Sequence, residues 1–341
     1  MHANEQFSRS GFRIWLVCGK HFAVFDRRCA HRGKCTTGQD AANAWNDESL
    51  MPQPLIAITG ATGAVGGLVA ERLADQGANL RLIVRDAAKA PPIAGVDLAV
   101  ASGYGATDEM IDALRGADTL FFVSGRETED RLTQHLRVVE AAKAAGIERI
   151  VYTSFLNASP ESTFTLARQH YATEQAIRES GIAFAFQQQN LYLDFMPFFA
   201  GPDGVIRGPA DDGKLAPVSR SDVADVAVTL LTDSSNDGQT FLITGRERFS
   251  LAQVAERMTA LTGKQFSFVD ETIEQAYESR AHFGAPDWEV EGWVTSYAAI
   301  AAGELNVKTD HVLKLTGHEP MLLDEFLRDN PESYAHVETS V

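Results

Sequence analysis

Cysteine is scarce: Cys18, Cys29 and Cys35 are the only three in 341 residues. Three cysteines build no disulfide framework, which points to a reducing compartment, so a cytoplasmic protein is expected. Positive charge is also short. Lys and Arg number 30 against 46 Asp and Glu, a net charge of −16. Such a surface repels phosphate and argues against nucleic acid as a partner. No run of about 18 apolar residues occurs, so no membrane-spanning helix is expected. The rest is ordinary for a globular chain: 45% hydrophobic and 22% charged, which excludes a mainly disordered or collagen-like protein. The length supports a sizeable core without crosslinks, and 19 Phe can furnish apolar pockets.

The charge is unevenly spread. Residues 1–50 hold seven Lys and Arg against five acidic residues, while the remaining 291 hold 23 against 41. All three cysteines lie in the first segment. Ile14–Val17 is too short an apolar run for a signal peptide, and no small-residue cleavage site follows it. Cys18, His21, Cys29, His31 and Cys35 are ligand types that can hold zinc. The stretch around Cys29-Ala30-His31 also resembles half of a Rieske iron–sulfur site, but no Cys follows Cys35 to close one. The plainer reading is a poorly ordered extension with no metal, and Met51, just before the first strong strand, as a natural start.

The main fold begins at Leu55-Ile56-Ala57-Ile58-Thr59, a short apolar run. Gly60-Ala61-Thr62-Gly63-Ala64-Val65-Gly66-Gly67 follows, then apolar residues at helical spacing (Leu68, Val69, Leu73) and a second strand, Leu80–Val84. Strand, glycine turn, helix and strand together are the context that makes a glycine pattern a dinucleotide site. Gly60 permits the tight turn, Gly63 leaves room for pyrophosphate, and Gly66 lets helix and strand pack closely. The helix N-terminus offers unpaired N–H groups to the phosphates. The alternation continues: strand 96–101, helix 108–114, strand 118–123, helix 129–145, strand 149–153, then a helix and strand 182–186. The expected fold is α/β, a doubly wound parallel-sheet Rossmann domain over 51–190. A smaller, mostly helical substrate lobe over 191–330 is interleaved with it, and 331–341 form a tail.

Ligands of such sheets sit beyond the carboxyl ends of the strands. Candidate site residues are therefore Gly60 to Gly66, Arg85, Tyr104, Phe122 to Gly125 and Tyr152 to Ser154. Arg85 stands nineteen residues past Gly66, where NAD enzymes place an acidic residue for the ribose 2′-OH. A guanidinium there pairs with a 2′-phosphate. NADP(H) is favoured, with Lys89 assisting, while Asp86 keeps NAD(H) open. Tyr104 is placed either near the adenine or in a surface loop. If Ser154 is the serine that short-chain dehydrogenases carry after the fifth strand, their Tyr-x-x-x-Lys positions fall on Leu166 and His170, and the usual acid is missing.

Ile58-Thr59-Gly60-Ala61-Thr62-Gly63, Val84-Arg85-Asp86, Ala141–Gly146, Tyr152-Thr153-Ser154 and His170-Tyr171-Ala172-Thr173-Glu174 resemble the NmrA-like atypical short-chain dehydrogenase/reductases. Their bacterial NADPH-dependent quinone oxidoreductase and triphenylmethane reductase branch is the nearest. The resemblance covers about residues 54–330. It implies that Gly60, Thr62, Gly63, Ala64, Val65 and Gly66 hold the pyrophosphate and Arg85 the 2′-phosphate. Ser124, Gly125 and Thr153 would lie by the nicotinamide ribose, with His170 facing it. The chain departs from the family at Phe186–Tyr192, where relatives often read Leu-Arg-Asn-Gly or Leu-Arg-Pro-Gly and this sequence has no Arg. Asn190 and Tyr192 keep lining positions there. His170 has a second reading, a pair with Glu174 one helical turn on. His135 reads as packing.

Residues 190–220 are rich in Phe, Pro and Gly (Phe195 to Pro202) and read as an apolar wall beside the nicotinamide. Trp288, Trp293 and Tyr297 are expected to close the same cleft. A pocket without a strong proton donor suits an acceptor that stabilises charge itself. The expected reaction is hydride transfer from the nicotinamide to a quinone-like or conjugated small molecule. His170, Tyr192 and Ser154 are the candidate catalytic residues, with Tyr192, Tyr171 or solvent supplying the proton. The rival is a non-catalytic NADP(H)-binding redox sensor, as some NmrA-like proteins are. A monomer or homodimer is expected. Glu338-Thr339-Ser340-Val341 also matches a C-terminal peptide for strand addition.

Overall fold

The computed structural model describes residues 15–18, 21–24 and 53–337. Cys29, His31, Cys35 and the C-terminal residues 338–341 lie outside the described residues, so the metal readings and the terminal peptide do too. The chain divides into two units, Met1–Pro52 and Gln53–Val341. In the first, β1 (Trp15–Cys18) and β2 (His21–Val24) pair antiparallel.

The second unit is built on a seven-stranded parallel sheet. Its strands are β3 (Leu55–Thr59), β4 (Asn79–Val84), β5 (Asp97–Val100), β6 (Thr119–Phe122), β7 (Arg149–Phe155), β8 (Ala183–Gln189) and β11 (Thr240–Ile243). Their spatial order is β11-β8-β7-β6-β3-β4-β5. The order reverses between β3 and β6, and there the ligand crevice of a doubly wound sheet opens. The apolar runs suit this position: Ile58, Leu82, Leu120, Phe121, Phe122 and Ile150 are fully buried, as strands covered on both faces require.

Helices clothe both faces. α1 (Ala64–Asp75) covers one, joined by α5 (Arg220–Thr232) and α9 (His311–Thr316). α2 (Thr107–Leu114), α3 (Arg131–Ala145) and α4 (Thr165–Ser180) cover the other. α3 and α4 each stop at a glycine in the left-handed region, Gly146 and Gly181.

A third apolar cluster belongs to the C-terminal lobe. Here β9 (Val205–Gly208) pairs in parallel with β13 (Ser267–Asp270), and β10 (Lys214–Leu215) pairs antiparallel with β12 (Phe249–Ser250). Around them lie α6 (Leu251–Thr262), α7 (Ile273–Arg280), α8 (Asp287–Ala301) and α10 (Leu323–Asp329). α6 starts on a capping box of Ser250 and Gln253.

Three elements differ from the sequence reading. β7 continues through Ser154 to Phe155, and β8 runs on to Gln189 rather than ending at Phe186. β11, read as part of the C-terminal lobe, is the seventh strand of the main sheet and pairs with β8. No described helix is long and apolar enough to cross a membrane.

Candidate functional site

The turn after β3 is built by its glycines. Gly60 has φ +65°, and an added Cβ would lie 3.0 Å from that of Val123 on the neighbouring strand end. Gly63 N–H donates to the Gly60 carbonyl at 2.9 Å. A Cβ on Gly66 would sit 2.3 Å from the Gly60 carbonyl oxygen, so only glycine lets α1 pack this close to the turn. Gly63 caps α1 without a side chain and no acidic residue occupies the first turn, which leaves an electropositive helix end. Gly63 and Ala64 are exposed there, whereas Val65 is buried in the core and has only its backbone to offer.

This turn opens onto a cleft of about 880 Å³. Gly60 and Thr62 form one wall, Ile83 to Arg85 and Ala101 to Ala106 another, and Arg126 to Thr128, Gln134 and Arg137 the third. Trp288 and Glu289 of α8 reach over from the C-terminal lobe. Three arginines, Arg85, Arg126 and Arg137, line it. Burial raises the carboxyl of Glu127. Asp86 is committed elsewhere, since its side chain accepts from Ala88 N–H at 3.0 Å and caps a short turn. Neither Asp86 nor Lys89 lines the cleft. Tyr104 does, and its hydroxyl donates to the Val123 carbonyl at 2.6 Å. Burial pushes that phenol up to about 12.

Beyond the cleft, the ends of β6 and β7 are tied together. Ser124 N–H donates to Thr153 Oγ1 at 2.7 Å, and Thr153 is buried. Gly125 is held on both sides of its residue: its N–H donates to His135 Nε2 at 2.8 Å and its carbonyl accepts from Arg131 Nε at 2.9 Å. Arg131 is only 3% exposed, and its other nitrogens reach Gln169 Oε1 at 3.1 Å and His170 Nε2 at 2.9 Å.

These contacts fix both imidazoles. Arginine only donates, so His170 Nε2 must accept, and its Nδ1–H donates to Tyr152 Oη at 2.9 Å. Likewise Gly125 N–H makes His135 Nε2 an acceptor, and Nδ1–H donates to Thr173 Oγ1 at 3.0 Å. Thr173 passes its own proton to the Gln169 carbonyl at 2.8 Å. Both rings are buried and neutral. Burial first, then Arg131, drives His135 down to about 2 and His170 well below its ordinary value.

The sequence reading set His170 facing the nicotinamide ribose or paired with Glu174. The structure places it at 6% exposure behind β7, with both ring nitrogens bonded to Arg131 and Tyr152. Ser154 is likewise buried, and its hydroxyl donates to Glu174. Glu174 also accepts from Gln188 Nε2 at 2.9 Å, and burial raises its carboxyl. Tyr192 lies half-buried after β8, accepting from Gln189 Nε2 at 2.6 Å with the Arg220 guanidinium 5.1 Å from its ring centroid. Burial raises its phenol above the ordinary range. Asn190 bonds only backbone, donating to the Leu305 carbonyl at 3.0 Å and accepting from Leu191 N–H at 2.8 Å.

The three aromatic residues expected to close one cleft are divided. Trp288 covers the dinucleotide cleft, whereas Trp293 and Tyr297 line a second cavity with Phe198 and Phe199. Arg131 was not among the sequence candidates. Its signal was present: with His135, Val138, Val139 and Ala142 it completes one helical stripe of α3, all buried.

The profile of the NmrA-like family matches residues 52–301. Quinone oxidoreductase 2 of Escherichia coli K12 is 32% identical over 277 residues, which are 80% of this chain and 96% of that protein. The NAD(P)H azoreductase of Xenophilus azovorans is 27% identical over 82% of this chain and 99% of its own. Among solved structures, the NADPH complex of the E. coli NADPH-dependent quinone oxidoreductase superposes with a TM-score of 0.74, covering 80% of this chain and 99% of that one at 32% identity. The Citrobacter sp. triphenylmethane reductase with NADP(H) gives 0.72 at 30% identity, over 80% and 99%. The chain belongs to the NmrA-like family.

Proposed function

We propose that this NmrA-like chain is an NADPH-dependent oxidoreductase that transfers a hydride to a quinone-like or otherwise conjugated small molecule. The observation that carries the reading is the cleft at the sheet's reversal point, with the glycine turn on one wall and Arg85 at the end of β4 on the next. Its residues fit a dinucleotide bearing a 2′-phosphate. The turn from Gly60 to Gly66 and the N–H groups at the start of α1, Thr62 to Val65, take the pyrophosphate. Arg85 takes the 2′-phosphate in fork geometry. With Asp86 committed to its turn, no carboxylate at that strand end is left to select the 2′-hydroxyl of NAD(H). The reductases above, two of them solved with NADPH or NADP(H), support the same cofactor.

When bound, the reduced nicotinamide supplies the hydride. Ser124, Gly125 and Thr153 at the ends of β6 and β7 hold its ribose side. His170 and Ser154 act from behind as positioning groups, and Tyr192, Tyr171 or water returns the proton. Leu166 and His170 occupy the places where a Tyr-x-x-x-Lys pair would stand, and a strong general acid is missing. An ordinary ketone needs such an acid, worth about 10²–10⁴-fold. A quinone or cationic dye stabilises the added charge itself. The net charge of −16 supports a small molecule rather than nucleic acid as partner, and the cysteine-poor sequence supports a reducing, cytoplasmic setting.

The test is NADPH oxidation with a panel of quinones and dyes beside simple aliphatic ketones. Turnover confined to the conjugated acceptors is expected. Turnover of ketones without quinone activity contradicts the mechanism. Tight NADP(H) binding with no turnover on any acceptor points to the sensor.

A further inference from the structure

The second cavity encloses about 940 Å³ in the C-terminal lobe and shares no lining residue with the dinucleotide cleft. We infer that it is a binding site for a planar, uncharged, multi-ring aromatic molecule, an inference that goes beyond the proposed reaction; only the assignment of that ligand as acceptor rests on it.

Its walls are aromatic. Phe198 and Phe199 come from the turn before β9, Phe283 from the corner between α7 and α8, and Trp293 and Tyr297 from α8 itself. Phe283 meets Trp293 edge to face at 5.7 Å, and Phe199 tilts against Tyr297 at 5.4 Å. Yet Phe198 stays 59% and Phe283 63% exposed. Two large rings left in water at one concavity are an unspent hydrophobic surface, and a flat ring system covers such a surface best.

The charge balance selects an uncharged ligand. Arg280 bonds Glu271 at 3.0 Å and the Arg207 carbonyl at 2.8 Å, and its guanidinium lies 5.2 Å from the Tyr297 centroid. Arg207 pairs with Asp203 at 2.7 Å. Each guanidinium at this wall is answered by a carboxylate, so an anion gains no free cation there.

Size selects more than one ring. Pockets for drug-sized ligands run to about 300–1,000 Å³, and this one is near the top. A single-ring quinone leaves most of the wall unmet. α8 carries Trp288 and Glu289 on the cofactor side and Trp293 and Tyr297 here, so the two sites are joined by about one helical turn. The ligand is either the acceptor itself or a separate effector of the same chemistry.

The full chain is titrated with Nile red, a neutral planar multi-ring dye, by its fluorescence. Saturation at one site is expected, with competition by phenanthrenequinone and none by benzoquinone. Phe283→Ala and Trp293→Ala raise its Kd about tenfold or more, as loss of an aromatic anchor does. Saturating NADPH and Arg85→Glu leave it unchanged. Phe198→Ala, an exposed change on the opposite wall, repeats the result if the others fail to fold. Non-saturable binding, equal affinity in all variants, or displacement by NADPH overturns the inference. A raised acceptor KM at unchanged kcat in Phe283→Ala assigns the ligand as acceptor, and an unchanged KM as effector. Absence of any NADPH oxidation sinks the reductase reading alone and leaves the dye result standing.

Discussion

In the proposed function, Arg85 selects the cofactor. Charge-assisted hydrogen bonds to a phosphate are worth about 1.5–3 kcal/mol, and reversal of the charge adds repulsion. Arg85→Glu is therefore expected to raise KM for NADPH by at least about thirtyfold and change KM for NADH little. Steady-state kinetics with both cofactors reads this directly. Arg85 was legible because a cation just past a strand end is written in residue type. Arg131 was not, since a buried arginine and a surface arginine look alike in sequence, and only its place on the buried stripe of α3 marks it.

The network around Arg131 has a pH signature. His135 and His170 are neutral when folded, but unfolded they take up a proton near their ordinary value. Below about pH 6.5 the unfolded chain binds more protons, so their contribution is complete above that pH and is lost as pH falls. Each histidine contributes a slope of at most about 1.4 kcal/mol per pH unit. Glu174, raised by burial, works in the opposite sense. Denaturant melts between pH 6.5 and 5 should show a shallower slope in His170→Gln than in the parent chain. Equal slopes would mean that His170 is charged in the folded protein. Gln187 gives a simpler test. It is fully buried, and neither side-chain polar atom has a partner among the described residues. Gln187→Met is expected to raise stability by about 1 kcal/mol, and a lowered Tm would reveal a polar partner of that side chain.

At the scale of elements, α1 stands or falls with Gly66. A methyl there meets backbone, which moves less readily than a side chain. Gly66→Ala should cost about 1–3 kcal/mol and weaken NADPH binding by at least tenfold, a factor of about 1.4 kcal/mol. Gly67→Ala, whose Cβ would lie 3.3 Å from the Ala61 carbonyl oxygen, is the milder comparison. Calorimetric binding and thermal melts on the two variants separate the effects. The glycine turn and strands β3 to β8 were visible in sequence because apolar runs and turn glycines mark them. The end of β8 was hidden: Gln187, Gln188 and Gln189 lie past the strand expected over 182–186, yet all three are buried in the sheet. Gln188 bonds Glu174, brought to it by α4, and local pattern carries no trace of that contact.

For the whole molecule, the described residues that line both cavities all belong to the unit Gln53–Val341. Removal of residues 1–52 is therefore expected to leave kcat/KM for NADPH and the acceptor within about twofold, well under the tenfold that 1.4 kcal/mol represents. A larger loss would assign the first segment a part in the site. At this scale the sequence showed the fold class and the cofactor side, which follow from patterned strands and one turn. The division of the aromatic residues between two cavities stayed hidden, because α8 presents Trp288 and Trp293 to different places only once it is packed.

The central claim is a hydride passed from NADPH to a conjugated acceptor. The most direct measurement follows NADPH and NADH oxidation by the full chain with a quinone, beside Arg85→Glu. Turnover that prefers NADPH and loses that preference in the variant is the predicted result. Tight NADPH binding with no oxidation by any quinone or dye would contradict it.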